Sequence, residues 1–341
     1  MTEAVADWQR EAPGTKPRVG FLGVGWIGRH RMQAIIETGA VDVAAIADPS
    51  GEMAAQAQQA APDAALVSTL DELLDIGVDG VVVATPSALH AQQSIRALEA
   101  GAAVFCQKPL GRTEAEVRAV VSAARNANRL LGVDLSYRYT QGMRQIRELI
   151  RSGQLGRIYA VDLAFHNAYG PDKPWFYDPA FSGGGCLMDL GVHLVDLVLW
   201  ALDYPGVSHV TGHLFAGGER LGPRPDRVED YALATVELET AATLQLACSW
   251  RLHAGCDALI SAAFYGTDGG AAFRNVNGSF YDFVAERYRA TARETLSSPP
   301  DAWGGRAAAE WAMRLAGGEK FNPSADHLID VARVLDRVYG R

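Results

Sequence analysis

The sequence predicts an α/β protein of two domains: an N-terminal doubly wound parallel sheet, then an α/β domain with a large, mostly antiparallel open sheet. Three observations carry that prediction. A glycine-rich turn, Gly23-Val24-Gly25-Trp26-Ile27-Gly28, follows a short apolar run and opens a helical pattern. Apolar runs and helical patterns then take turns as far as Val133, the rhythm of a parallel sheet with crossover helices. From Gly156 strand-like runs follow one another with few helices between them, which suits antiparallel pairing. A length of 341 residues also suits two domains.

The first strand is the run 17–22 (PRVGFL), and the helix after it carries Ile27, Met32, Ile35 and Ile36 broadly on one side. A second run, 41–47, ends in Asp48-Pro49. Each part of this unit has a physical role. Gly23 allows the tight turn, Gly25 lets a pyrophosphate approach the backbone, and Gly28 lets the helix lie close to the sheet. The helix N-terminus, which carries Trp26 and Ile27, offers unpaired N–H groups to the phosphates. Asp48, about 20 residues past Gly28, places a carboxylate for the ribose hydroxyls and against a 2′-phosphate, which favours NAD over NADP.

Thr69 and Glu72 have capping-box spacing before a short helix. The run 78–84 (VDGVVVA) reads as a buried strand, and Ser87 is expected to cap a helix running to Glu99. Residues 103–106 form the next strand, followed by Gln107-Lys108-Pro109; Thr113 and Glu116 open a helix to Ala127, and 130–133 close the sheet. Ligands of such sheets sit beyond the carboxyl ends of the strands, so Thr85, Pro86 and Lys108 fall beside the cofactor by topology alone. His90, one turn into its helix, is either a cofactor-side residue or a packing histidine.

In the second half, 157–167 alternates like a strand, and a glycine and aromatic loop (GPDKPWFYDPAFSGGG) leads into a helix over 186–202. Its apolar stripe is Leu187, Leu190, Leu194, Leu197 and Val198. Strands are expected at 207–215, 229–239, 242–251, 258–265 and 270–274, and helices at 301–316 and 324–338. The domains are accordingly 1–16 as a polar leader, 17–135, and 136–341, with the last helix able to pack back on the first domain. Asp189, His193 and Asp196 stand at i, i+4 and i+7 and so share a helix face. A carboxylate one turn from an imidazole can orient it as a proton acceptor; the same pattern also fits a solvated face or a domain contact. His166 could join this pair around zinc, yet no thiolate pair or HExxH motif supports it, and no metal is expected.

The formal charge of -9, from 31 basic and 40 acidic residues, gives no reason to expect nucleic acid as a partner. Four cysteines without ladder spacing read as free thiols of a reducing cytoplasm. The first 16 residues lack an apolar signal core, and no uncharged apolar stretch approaches 18 residues, so no membrane span is expected.

GVGWIGRH, ATPSALH, CQKPL and GGGCLMDLGVHLVDL, in this order and spacing, resemble the glucose–fructose oxidoreductase / inositol dehydrogenase / rhizopine catabolism (Gfo/Idh/MocA) family from about residue 17 to 339. The resemblance implies reversible hydride transfer between NAD(P) and a carbon bearing a hydroxyl or keto group on a sugar, cyclitol or sugar derivative. It implies catalytic roles for Lys108, Asp189 and His193, and an open sheet that serves a homodimer or homotetramer. Family members often place residues near the substrate where Arg138 and Tyr139 stand, a position that also suits a simple inter-domain salt bridge. The loop 166–182 is expected to border the substrate, with donors and aromatic faces from His166, Tyr169, Trp175 and Tyr177; Trp175 and Phe176 suit a domain core equally well. Lys173 reads as solvated. One departure is Gln107, where the family usually has glutamate. Keto-sugar reduction and cofactor binding without turnover are the alternatives to a dehydrogenase.

Overall fold

A computed structural model describes residues 15–222 and 226–341; the leader 1–16 falls almost wholly outside the described residues. The first sheet is built from β1 (Arg18–Leu22), β2 (Asp42–Ala47), β3 (Ala65–Val67), β4 (Gly80–Val83), β5 (Ala103–Cys106) and β6 (Leu131–Val133). Helices α1 (Trp26–Glu37), α2 (Gly51–Gln58), α3 (Leu70–Asp75), α4 (Ser87–Glu99) and α5 (Glu114–Ala127) connect them. All six strands are parallel, in the order β3-β2-β1-β4-β5-β6. The order reverses between β1 and β4, and a doubly wound sheet opens its ligand crevice at that point. β4 and β5 are buried at every position because helices cover both faces, which is why they read as unbroken apolar runs.

α2 and β3 lie in a stretch, 49–68, to which the sequence pattern assigns no element. α2 (GEMAAQAQ) is capped by Ser50 and rich in alanine, so it has helix propensity without an apolar stripe. β3 is a three-residue edge strand with no buried position, and alternation cannot be read from it. α4 also begins differently from expectation. Ser87 is its first residue, Pro86 holds the cap position, and no side chain caps it.

The second domain opens with α6 (Gln141–Arg151), capped by Thr140 and burying Met143, Ile146 and Leu149. It continues through β7 (Ile158–Asn167), a short α7 (Pro179–Ser182) and α8 (Val192–Ala201). Then come β8 (Val207–Ala216), β9 (Glu219–Arg220), β10 (Tyr231–Leu238), β11 (Thr243–Ser249), β12 (Ala258–Gly266), β13 (Gly270–Asn275), β14 (Phe283–Arg289) and β15 (Ala292–Ser297). These form a nine-stranded sheet, β15-β14-β13-β12-β7-β11-β10-β8-β9, antiparallel except between β7 and β11. α6, β9, β14 and β15 are additions to the sequence expectation.

The chain closes with α9 (Arg306–Ala316) and α10 (His327–Tyr339). α9 returns to the first sheet, where the buried Trp311 meets Phe105 at 5.8 Å between ring centroids. α10 bridges two cores: Val331, Val334, Leu335 and Val338 belong to that of the second domain, Ile329 and Ala332 to that of the first. The segment Pro179–Ala201 has the length and composition of a membrane span, and 83% of its apolar window is buried within the fold, as in a core helix.

Candidate active site

One cleft of about 1370 Å³ runs along the carboxyl ends of β1, β4 and β5 and continues between the domains. At its nucleotide end lies the glycine turn. Gly23 has φ +86, and its backbone N–H bonds Ala47 O at 2.8 Å; a Cβ there would sit 2.6 Å from Ala84 O, so only glycine makes this turn. A Cβ on Gly28 would strike Gly23 O at 2.2 Å, whereas one on Gly25 would point into open space beside the cleft. Asp48 takes part in the turn itself, accepting from Val24 N and Ser50 N, each at 2.8 Å, and it also lines the cleft.

Helix capping tests whether this end suits a dinucleotide. Of α1 to α5, three carry a side-chain cap, from Ser50, Thr69 and Thr113. The two without one are α1 and α4, and both begin on the cleft wall, at Gly25-Trp26 and Pro86-Ser87. Uncapped N-terminal N–H groups facing a cleft are what a pyrophosphate needs. Trp26 is 64% exposed there, an apolar face open to a ligand.

His90 is almost fully buried and staples two loops on the cleft wall: its Nδ1 lies 2.6 Å from Pro109 O and its Nε2 2.7 Å from Thr85 O. Only an imidazolium satisfies both carbonyls, whereas burial favours the neutral ring and pushes the pKa below the usual histidine value. Thr85 itself bonds Gln93 through its hydroxyl, 2.6 Å.

The polar end is assembled around Lys108. Its Nζ donates to Asp189 Oδ1 at 2.6 Å and to Asp189 O at 2.8 Å. Trp250 Nε1 donates to the other carboxylate oxygen at 3.0 Å. Asp189 therefore holds Lys108, and the expectation that it orients His193 is corrected. The reason is local: Leu187–Gly191 is a π-helical turn, so Asp189 is rotated away from the position one α-turn below His193. His193 packs edge-on against Tyr137, ring centroids 5.0 Å apart, and its Nδ1 is buried without a partner. Burial, Lys108 and Arg31, in that order, push its pKa well below the histidine norm, which leaves a neutral imidazole at neutral pH. Asp196 leaves the line as well, because it is buried against Arg138.

The glycines before this turn answer to packing from α10 and the approach to β10. Glu229, buried, accepts from Gly185 N and Leu187 N at 2.9 Å and from Tyr339 Oη at 2.8 Å. A Cβ on Gly185 would lie 1.8 Å from Glu229 O. The segment bearing Asp189 and His193 is thus pinned at its start by the chain's last helix.

Five expected substrate-side residues lie outside the cleft, Tyr139 among them, its ring covered by Arg144. Arg138 turns to Asp196 (Nε–Oδ2 2.6 Å) and stacks over Tyr204 on the far side of its turn. His166 bonds Ser249 Oγ at 2.9 Å and pairs across strands with the exposed Leu259; its neighbour Phe165 is the one that faces Tyr137 and His193. Strand alternation makes that one-residue difference decisive. Tyr169 bonds Asp257 at 2.6 Å, and Tyr177 braces its own loop through Pro171 O and Arg251. Trp175 does line the cleft, stacked on Phe176 at 3.8 Å, as does Lys173, which sits 3.1 Å from Asp172. Sequence reasoning missed Tyr137, Tyr281 and Trp303, which wall the polar end. Trp303 stacks on Tyr137 at 4.9 Å and donates to Tyr281 O at 2.9 Å. Tyr137 belongs to a stretch that reads only as a junction, and nothing in spacing points to the other two. Among the described residues no group of side chains is arranged to hold a metal ion.

Fold and cleft together define a two-domain protein with a dinucleotide-binding type of parallel sheet. Residues 17–135 match the family model described as an oxidoreductase family with NAD-binding Rossmann fold, and residues 143–272 match the GFO/IDH/MocA C-terminal domain. The chain belongs to the Gfo/Idh/MocA oxidoreductase family. It is similar to the D-glucoside 3-dehydrogenase of Escherichia coli (strain K12), 30% identical over 212 residues, which cover 58% of this chain and 60% of that protein. It is also similar to the 1,5-anhydro-D-fructose reductase of Ensifer adhaerens, 30% identical over 232 residues, 67% of this chain and 68% of the relative. Among solved structures, GenD2 from gentamicin A biosynthesis, in complex with NAD, superposes with a TM-score of 0.79 at 25% identity, covering 96% of this chain and 95% of GenD2.

Proposed function

We propose that the protein is a NAD-dependent oxidoreductase that moves a hydride reversibly between NAD and a secondary hydroxyl-bearing or anomeric carbon of a sugar, cyclitol or sugar derivative. The observation that carries this reading is Lys108, held by Asp189 beside a neutral His193, in the cleft that begins at the uncapped ends of α1 and α4. The nicotinamide ring, when bound, would supply the hydride acceptor. His193 takes the proton of the substrate hydroxyl, as an imidazole held neutral by its surroundings can do. Lys108 has three ammonium hydrogens and gives two to Asp189, so one remains for the reacting oxygen and its growing negative charge. Trp175 and Tyr281 offer faces for the C–H surface of a sugar ring. Asp48 favours NAD over NADP by repelling a 2′-phosphate. A likeness to a named 1,5-anhydro-D-fructose reductase supports a second reading, reduction of a keto sugar, which would run through the same residues. The open face of the nine-stranded sheet, with Leu233, Leu259 and Tyr265 exposed, is the surface for a homodimer or homotetramer.

The test is nicotinamide absorbance with NAD or NADP and a panel of sugars, sugar acids, cyclitols and 1,6-anhydrosugars, with Lys108→Ala as control. Reduction of NAD that the control loses supports the dehydrogenase. Consumption of NADH by keto sugars alone supports the reductase, and nucleotide binding without turnover of any substrate overturns both.

A further inference from the structure

Behind Lys108 the cleft wall contains four buried polar residues, Arg31, Gln107, Asp134 and Ser136, to which hydride transfer itself gives no role. They come from α1, from the end of β5 and from the turn after β6. Asp134 is their hub. Its Oδ2 accepts from Arg31 Nε and from Gln107 Nε2, both at 2.6 Å, and its Oδ1 accepts from Ser136 Oγ at 2.5 Å. The pair of charges is 9% and 1% exposed. Burying a cation and an anion costs about as much as their attraction returns, so cohesion alone is a poor reason for them to be here. Their place is more telling. Gln107 immediately precedes Lys108, and the Arg31 charge reaches His193.

We propose that Asp134 is a positioning residue that fixes the net charge of the polar end of the cleft: it neutralises Arg31 and, through Gln107, anchors the chain at Lys108. The proposal rests on the oxidoreductase reading. With Asp134 ionised, Arg31 and Lys108 are each matched by one carboxylate, and an oxidised nicotinamide, itself a cation, meets a balanced site. Without it the site holds one excess buried positive charge, which opposes NAD⁺ but not NADH. The same hub accounts for glutamine at 107, because a glutamate there would face Asp134 with one cation for two like charges. What matters is one carboxylate and one amide across this hydrogen bond, so the two are interchangeable.

The experiment compares Asp134→Asn with the exchange variant Gln107→Glu/Asp134→Asn. Calorimetry measures the affinities for NAD⁺ and NADH, and NMR follows the His193 imidazole of the nucleotide-free protein. Lys108, Arg31, Asp189 and Tyr137 are the charged and titratable groups around that ring. The single variant is expected to bind NAD⁺ roughly tenfold more weakly, with NADH changed less than about threefold, and to move the His193 midpoint to lower pH. The exchange variant restores both. A single variant that changes neither reading overturns the proposal, and so does an exchange variant that fails to fold or behaves like the single. If the unmodified protein binds neither nucleotide, the oxidoreductase reading fails, and the imidazole titration still decides this one.

Discussion

Two of the three hydrogens on Lys108 Nζ are committed to Asp189, and the proposed function gives the third to a substrate oxygen. Lys108→Ala is expected to lower kcat/KM by roughly a hundredfold or more while nucleotide affinity stays within about threefold, because the loss falls on charge that grows in the transition state. On the proposed function, His193 sets the pH response. Its folded pKa is lowered, so the base stays neutral on the acid side of the ordinary histidine midpoint. Oxidation is expected to hold its rate as pH falls past that ordinary value and to fail only at the depressed one; a pH profile of kcat that breaks at about 6.5 would contradict this. The sign for stability is the opposite of a salt-bridged histidine. The unfolded imidazole binds a proton at about 6.5 and the folded one only at lower pH, so the unfolded state holds more protons in between, and stability declines with falling pH across that window. Urea titrations on either side of the window should show the decline, reduced in His193→Asn. At this scale the sequence singles out Lys108, Asp189 and His193, and the structure gathers all three in one cleft. The pairing is not legible in the sequence, since a π-turn sends Asp189 to Lys108 and no residue spacing announces a π-turn.

Elements position those atoms through close backbone contact. Gly185 admits Glu229 so tightly that Gly185→Ala is expected to cost about 1–3 kcal/mol or more and to displace the segment bearing Asp189 and His193. Gly51→Ala, at the start of α2 with nothing near its Cβ position, should be neutral or mildly stabilising. Thermal unfolding of the two variants checks the contrast, and equal behaviour would remove the packing argument. The strands of the first sheet are legible because burial on both faces leaves unbroken apolar runs. α2 escapes because alanine buries little, and β3 because an exposed edge needs no pattern. α6 is a different case: Met143, Ile146 and Leu149 stand at helical spacing behind Thr140, a signal present in the sequence and passed over. His166 shows the limit of loop-based reasoning, since its register on β7, rather than its nearness to the loop, decides which face it serves.

The whole molecule is tied by its last two helices. Trp311 on α9 covers Phe105, and α10 inserts one set of side chains into each core. Trp311→Ala is expected to cost about 3–5 kcal/mol although the residue lies far along the chain from the sheet it covers. The loss should appear as one cooperative shift in denaturant unfolding; two separate transitions would show that the halves unfold independently. A fragment ending near residue 135 would leave that surface bare and should lack a cooperative transition altogether. Contiguous family matches at 17–135 and 143–272 leave α9 and α10 to neither domain. Anyone exchanging nucleotide specificity between relatives by swapping halves would therefore be moving a part without its fastenings. The first domain's fastenings are discontinuous in sequence, α9 wholly and α10 in part, and recombination with a single crossover near 135 would seat it against foreign closing helices.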